Sequence, residues 1–261
     1  MRPEMVYAYP LWVTGLLLVA AALAGVTALE LLVRRLVPAT LRRSHNDVAA
    51  AMFGIIGVTY AVLLAFVAML AWEGFNRAEA VVQTEATLLG DAYEASRGFA
   101  DPVLRDGTRR YGELVVMQEW PLLAAGDRAE AAQAVLDAMG GAARAIAPAD
   151  AGAANRQAEL LRVLMRLRDA RAERMLAART TIPPVVWVVT LLGGVITVAF
   201  GSFLGAPSLA MHLAMSGLLA VSGSLVLLLI IALSNPFRGD FHVSQTPFTE
   251  VLGRIDAARG E

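Results

Sequence analysis

Four long apolar segments divide the chain, at about 11–33, 48–72, 182–204 and 209–233. Each has about 23 residues, which is enough to cross a hydrocarbon core of roughly 30 Å at about 1.5 Å per residue. The pattern therefore predicts an all-α integral membrane protein with four spans. We interpret the first segment as a retained helix rather than a signal peptide, because its apolar stretch is long and no small-residue cleavage site precedes Arg34.

The polar connections group these spans into two transmembrane hairpins, 1–72 and 182–234. "RRLVPATLRRSHND" joins the first pair of spans and "GAPS" joins the second pair. Residues 73–181 lie between the hairpins and are rich in Ala, Leu, Glu and Arg, which predicts a helical extramembrane region. A C-terminal tail, 235–261, follows the fourth span.

Breaks in the helical pattern divide the extramembrane region into four predicted helices. The first continues the second span without interruption, because nothing between Trp72 and Arg97 stops it. Asp101 is followed by Pro102, which indicates an N-cap and a first helical position, and Asp127 is predicted to start another helix in the same way. The last helix is predicted over 156–179, ahead of a third span that starts with two prolines.

The second span carries small residues at spacings of three and four, which form a stripe along one side of the helix. This small-residue stripe comprises Ala50, Gly54, Gly57, Ala61, Ala65 and Ala68. Such a stripe favours close packing between membrane helices. The same helix can also line a pore, because bulky side chains beside the stripe would form an apolar constriction. The candidates for pore lining are Phe53, Ile56, Gly57 and Tyr60.

The predicted helix over 156–179 is strongly basic. One interpretation is a solvated helix close to the membrane, with arginines near lipid headgroups. The other is a positively charged vestibule that concentrates anions, for which the candidates are Arg168, Arg171 and Arg174.

Polar residues gather directly before the second span. Asn46 and Asp47 suit a helix N-cap, and His45 beside them suggests a hydrogen-bonded node at a pore mouth. Two such side chains are too few for a metal site without distant ligands. His212, in the first turn of the fourth span, is expected to pack between helices, with pH sensitivity as the alternative.

The composition excludes several kinds of chemistry. The chain has no cysteine and no lysine, so thiol catalysis, thiolate metal sites and a lysine Schiff base cannot occur. The sequence contains no catalytic or phosphate-binding motif, so we expect no enzymatic activity, no cofactor and no metal. A net charge of −1 gives no reason to expect nucleic-acid binding.

Arginines near the span ends suggest an orientation. The first loop holds four, at positions 34, 35, 42 and 43, and the side shared by the N-terminus, the extramembrane region and the tail holds more. This favours a multi-pass membrane protein with the helical region and both termini in the cytoplasm.

Several motifs together resemble the bacterial bestrophin-like family of unknown function. They are "HND" before the second span, "GVTYAVLLAFV" inside it, "AWEGFNRAEAVVQTEATLLGDAY" after it, "QEWP", "RDARAERMLAARTTIPPVVW", and "NPFRGDF" with "TPF" after the fourth span. The resemblance covers nearly the whole chain, and it implies a location in the bacterial inner (cytoplasmic) membrane. It implies a distant relation to bestrophins, which are pentameric, anion-selective channels with four membrane segments per subunit, cytosolic helices and an apolar neck on the second segment.

The post-span motif departs from bestrophins at one important point. Asn235, Pro236 and Phe237 match their "NPFG", but Arg238 replaces the glycine and Asp240 alone remains of the acidic run that binds calcium there. Calcium gating of that kind is therefore not expected.

Two functions follow from the sequence. The first is a homo-oligomeric ion channel in a lipid bilayer, a pentamer by resemblance, whose second span lines a pore that conducts small inorganic ions, namely anions. The alternative is a non-conducting multi-pass membrane protein whose helical region senses a signal or binds a partner.

Overall fold

The computed structural model describes residues 9–38, 46–127, 130–205 and 208–260, and every regular element in them is a helix. A π-helical turn, Val115–Glu119, joins α3 to α4. The α-helices, numbered in chain order, are α1 (Leu11–Leu36), α2 (Asn46–Ser96), α3 (Pro102–Leu114), α4 (Trp120–Ala125), α5 (Ala131–Ala145), α6 (Ala151–Arg179), α7 (Pro184–Ser202), α8 (Leu209–Leu233) and α9 (Thr246–Gly260).

Four stretches of helix are long and apolar enough to cross a membrane, as the hydropathy pattern predicts. They lie in α1, in α2, in the stretch that ends with α7, and in α8. The prediction that the second span continues into the next helix is also confirmed, because α2 runs unbroken for 51 residues. Helix α7 begins at Pro184, with Pro183 as its N-cap, where the missing proline N–H costs no helical hydrogen bond.

The chain divides into two compact units. The membrane unit comprises Met1–Glu73 and Thr181–Ser234, and the extramembrane unit comprises Gly74–Thr180 and Asn235–Glu261. Within the described part of the membrane unit, α1 packs mainly against α8 and also against α7. The first span therefore finds its main neighbour in the second hairpin rather than in α2.

A buried polar contact joins α1 to α8. The carboxylate of Glu30 is fully buried and accepts a hydrogen bond from Arg34 Nε at 2.7 Å, one turn along the same helix. Its second oxygen lies 3.1 Å from Nε2 of His212 on α8, which is also buried. His212 thus packs between helices, as the sequence suggested, and it has an acidic partner there.

Helix ends in the extramembrane unit show which capping predictions hold. Asp101 caps α3 as predicted, since its side chain accepts a hydrogen bond from the backbone N–H of Val103 at 2.8 Å. Asp150 does the same for α6 through Ala153 N at 2.7 Å, so α6 begins at Ala151, five residues earlier than the predicted 156.

The predicted helix start at Asp127 is wrong. Gly126 adopts a left-handed conformation, with φ of 84°, and the backbone N–H of Asp127 donates to Leu122 O at 2.8 Å. This pattern closes the C-terminus of α4, as glycine commonly does. The next helix, α5, begins only at Ala131, after Glu130. Asp127 therefore ends one helix instead of starting another.

Replacing Glu30 by Ala is expected to destabilise the membrane unit. The substitution removes the acceptor of the partly buried Arg34 guanidinium and the acidic neighbour of the buried His212 ring. Loss of the partner of a buried polar group costs on the order of 1–3 kcal/mol. The melting temperature in detergent should fall clearly. Thr27→Ala on the same helix is the control, because the Thr27 hydroxyl is exposed and bonds only to Leu23 O within α1. Equal melting temperatures for the two variants would contradict the role of Glu30.

Candidate functional site

One side of α2 in its membrane segment packs against the rest of the subunit. Leu64, Val67 and Ala71 are buried there, with 7%, 2% and 3% of their surface exposed. They are spaced three and four residues apart, so they share one side of the helix. Tyr60 and Phe53 extend the same side towards the start of α2 and are half-buried.

The rings of Tyr60 and Phe53 lie against glycines of α7. A Cβ atom at Gly193 would come within 2.8 Å of the Tyr60 ring, and one at Gly194 within 2.7 Å of the Tyr60 hydroxyl. A Cβ atom at Gly201 would lie 3.3 Å from the Phe53 ring. The glycines therefore form a notch that admits both rings, and this contact holds α2 against α7.

The residues predicted to line a pore all fall on or beside this packed side. Phe53, Ile56, Gly57 and Tyr60 are half-buried within the single chain. Because Phe53 and Tyr60 contact α7, their rings serve packing inside the subunit. A pore-lining role for these four residues stays a prediction.

The opposite side of α2 is bare among the described residues. Val58, Val62 and Phe66 lie there at intervals of four residues, with 66%, 49% and 65% of their surface exposed. At about 100° per residue, all three fall within roughly 60° of the direction opposite Tyr60. We call Val58, Val62 and Phe66 the exposed row.

The small-residue stripe is also uncovered within the subunit. Ala61 and Ala65 are exposed, and a Cβ atom at Gly54 or Gly57 would meet no described atom of another element within 4 Å. The packing that such a stripe favours is therefore not made by this chain's own described helices.

The polar cluster before the second span is partly visible. His45 lies outside the described residues. Asn46 is the first residue of α2, and its side-chain Oδ1 accepts a hydrogen bond from the backbone N–H of Gly205 at 2.9 Å. Asp47 follows in the first turn and is exposed. The contact of Asn46 ties the start of α2 to the loop after α7, and a node of His45 with Asp47 stays a prediction.

The three arginines that were expected to attract anions are all paired with carboxylates. Arg168 pairs with Asp137 at the surface. Arg171 is buried and pairs with Glu119. Arg174, completely buried, contacts Glu85 through Nε at 2.6 Å and through Nη2 at 3.1 Å.

Arg174 is the centre of a buried cluster that links distant parts of the extramembrane unit. Its Nη2 also donates to Glu119 at 2.7 Å, and the buried hydroxyl of Tyr111 donates to Glu85. Glu119 accepts a further hydrogen bond from the backbone N–H of Ala132 at 3.1 Å. We call Glu85, Tyr111, Glu119, Arg171 and Arg174 the buried ion cluster.

The surroundings of Arg174 and Tyr111 in this cluster raise the pKa of both groups. Burial alone would lower the pKa of Arg174, but the charge of Glu85 and its hydrogen bond, with smaller contributions from Tyr111 and Glu119, raise the pKa above its ordinary value. Burial, followed by the charge of Glu85, raises the pKa of Tyr111 well above its ordinary value. Arg174 therefore stays charged and Tyr111 stays neutral across the physiological pH range.

Aromatic rings enclose the cluster. The guanidinium carbon of Arg174 lies 5.8 Å from the ring centre of Trp120 and 5.9 Å from that of Phe248. Phe237 of the post-span motif meets Trp120 edge-on at 5.7 Å. Within that motif, the turn after Asn235 and Pro236 is held by Arg238 N donating to Asn235 O at 3.1 Å and Val243 N to Pro236 O at 2.7 Å. The motif thus anchors the tail to the core of the extramembrane unit.

The sequence contains a signal for this cluster that no single motif shows. Glu85 falls among Val81, Val82, Ala86 and Leu89, which form the buried side of α2 in the extramembrane unit. A carboxylate on an apolar helix side requires a buried partner. Its partner, Arg174, lies 89 positions further along the chain.

Replacing Arg174 by Gln is expected to destabilise the extramembrane unit strongly. Removal of one partner from a buried ion pair costs about 3–5 kcal/mol, because the remaining charge is left uncompensated. Arg168→Gln is the matched control, since its surface pair is worth about 0–1 kcal/mol. Thermal unfolding of both purified variants measures the difference. Similar losses for the two would contradict a central role for the buried cluster.

The glycine notch gives a further prediction. Gly193→Ala is expected to cost about 1–3 kcal/mol, because its new methyl group overlaps the Tyr60 ring. Gly25→Ala on α1 adds the same methyl group where no described atom of another element lies within 4 Å, so it should be nearly neutral. Tyr60→Leu should relieve much of the Gly193→Ala loss in a double-mutant cycle. Additive effects would show that the two residues are not coupled.

Comparisons with known proteins agree on fold and family. Two substituted forms of a bacterial bestrophin homologue from Klebsiella pneumoniae have a similar structure, with TM-scores of 0.70 and 0.71 at 14% and 13% sequence identity. Each alignment covers 93% of this chain and 99% of that chain. A search of curated proteins finds no significant match. The profile of the bestrophin-like domain matches residues 20–248, and the chain therefore belongs to the bestrophin-like family.

Proposed function

We propose that this protein is a homo-oligomeric ion channel in which α2 lines the pore. The observation that carries the proposal is the two-sided character of α2. One side packs against α7 of its own subunit, whereas the exposed row lies on the opposite side. A residue that faces the axis of a ring of subunits must be uncovered in the single subunit, and the exposed row meets that condition.

The small-residue stripe supports assembly into a ring. Small side chains allow neighbouring helices to approach closely, and van der Waals contact is a main source of attraction between helices in lipid. Because the described helices of this chain leave the stripe uncovered, a neighbouring copy is the partner that fits it. Five copies are the number that the resemblance to bestrophins implies.

An apolar constriction can close a channel by dewetting, without a segment of the protein that blocks the pore. Rings of Val62 and Phe66 would surround the axis with apolar surface, and a narrow apolar passage resists filling by water. The family and the fold of the chain support this proposal, since bestrophins are ion channels and the similar solved structures are described as bestrophin homologues.

The arginines do not support the expected anion preference. Arg168, Arg171 and Arg174 are each paired with a carboxylate, so they add no uncompensated positive charge to a vestibule. Anion conduction thus rests on the resemblance alone.

We propose that the protein is a multi-pass protein of the bacterial cytoplasmic membrane and that its extramembrane unit and both termini lie on the cytoplasmic side. The four apolar helices support the multi-pass placement, and the distribution of arginines near the span ends supports the orientation.

Single-channel recording of the purified protein in planar bilayers tests the proposal. The wild type should give unitary currents, and Val62→Ala and Phe66→Ala should each raise the conductance severalfold by widening the constriction. Val195→Ala on α7 is the matched control, because Val195 is just as exposed but lies on a span that the proposal leaves outside the pore.

Two results would contradict the channel. One is a well-ordered monomer without conductance, which would favour a non-conducting membrane protein that senses a signal or binds a partner. The other is an unchanged conductance in both variants of the exposed row.

A further inference from the structure

A buried histidine lies beside a buried carboxylate in the membrane unit. His212 of α8 and Glu30 of α1 have 3% and 0% of their surface exposed, and His212 Nε2 lies 3.1 Å from Glu30 Oε2. Ionisable groups inside a membrane are costly, so such a pair points to a role beyond packing. We propose that His212 is a proton-binding site and that a proton bound there weakens the packing of α1 against α8.

The charges around His212 favour a neutral ring. Arg34 Nε donates to Glu30 at 2.7 Å, so one arginine already balances this carboxylate. A proton on His212 places a second positive charge beside the same carboxylate. A buried charge that is not compensated is costly, so the proton opposes the packed arrangement.

The second ring nitrogen of His212 adds to this cost. Nδ1 is buried and has no hydrogen-bond partner among the residues that the structure describes. A neutral imidazole carries one N–H group, whereas the protonated ring carries two. Protonation therefore buries an additional donor for which the described residues supply no acceptor.

The helices that pack against α8 supply no second carboxylate. Helix α8 packs against α1 and α7. No side chain of α7 is ionisable, and His212 is the only ionisable residue of α8. Apart from Glu30 and Arg34, α1 contributes only Arg35, which is exposed and also positive. Glu30 is thus the single acidic group that these three helices place near the ring.

The site lies near the end of the membrane unit where each hairpin has its loop. His212 is in the first turn of α8, and Glu30 lies about 9 Å along the axis from the end of α1 at Leu36. Arg34 follows Glu30 towards that end and has 23% of its side chain exposed. The short path to water therefore leads to the side of the membrane opposite the extramembrane unit.

Proton binding makes the packing of α1 and α8 depend on pH. When the two helices separate at this end, the charged ring reaches water, so the separated state binds the proton more tightly than the packed state. By linkage, the stability of the membrane unit then falls as the pH falls. This packing lies inside one subunit, so its response to pH is independent of whether the protein conducts ions.

Thermal unfolding in detergent at a series of pH values tests the site. The melting temperature of the wild type should fall on the order of 5 °C between about pH 8 and about pH 5, the range in which histidine changes its charge. His212→Gln should lose most of this fall, because glutamine is polar but does not titrate.

His242→Gln is the matched control. His242 is exposed in the tail, where its Nδ1 lies 2.9 Å from Gly239 O. The variant removes one titrating histidine, as His212→Gln does, and keeps every carboxylate of the protein. It should therefore show the full wild-type fall in acid.

Thiol labelling gives a second measurement that leaves His212 unchanged. Val33 is buried on α1 with 6% of its surface exposed, and Leu36 is 71% exposed at the end of the same helix. The chain has no cysteine, so Val33→Cys and Leu36→Cys each carry a single thiol. The labelling rate of Val33→Cys relative to that of Leu36→Cys should rise severalfold from about pH 8 to about pH 5. The ratio removes the effect of pH on the thiol itself.

Three results would overturn the proposal. The first is a wild-type melting temperature that does not fall in acid. The second is a fall of equal size in the wild type and in His212→Gln. The third is a labelling ratio that stays constant, and it decides the matter if His212→Gln does not fold.

Discussion

The two-sided packing of α2 is the constraint on which the rest of the account depends. Lipid tails are as apolar as the helix surface, so the hydrophobic effect does not determine which side of a membrane helix packs against its neighbours. The fit between side chains determines it instead. Here the rings of Tyr60 and Phe53 fit against the glycines of α7, and this contact fixes which side of α2 is covered. The direction of the exposed row follows from the same rotation.

The extramembrane unit relies on a different kind of interaction. Two glutamates and two arginines are buried together, and each carboxylate accepts several hydrogen bonds. Such clusters need full compensation, since an unpaired buried charge is very costly. The π-helical turn ends at Glu119, and the post-span motif covers Trp120 with Phe237, so irregular local structure and the tail both contribute to one core. The arginines of α6 that suggest an anion vestibule in the sequence are thus part of the folded core or of a surface pair.

The sequence alone predicts those features of the fold that depend on residues close together in the chain. Long apolar segments, the unbroken second span and the cap at Asp101 all depend on neighbouring residues, and they were predicted. Asp127 was assigned to the wrong helix end, because an aspartate followed by polar residues suits an N-cap while Gly126 just before it suits a C-terminal cap. The rotation of α2 could not be predicted, since apolar residues surround it on all sides and no amphipathic pattern marks the packed side. The pairing of Arg174 with Glu85 joins residues 89 positions apart, a distance over which single-sequence patterns carry no information.

The central claim, that the exposed row of α2 lines the path of the ions, is best tested by cysteine accessibility. The chain has no cysteine, so single substitutions give an unambiguous signal. The account predicts that a water-soluble, charged thiol reagent blocks the current of Val62→Cys and Phe66→Cys and leaves that of Val195→Cys unchanged. Block of Val195→Cys with no effect on the two positions of α2 would contradict it.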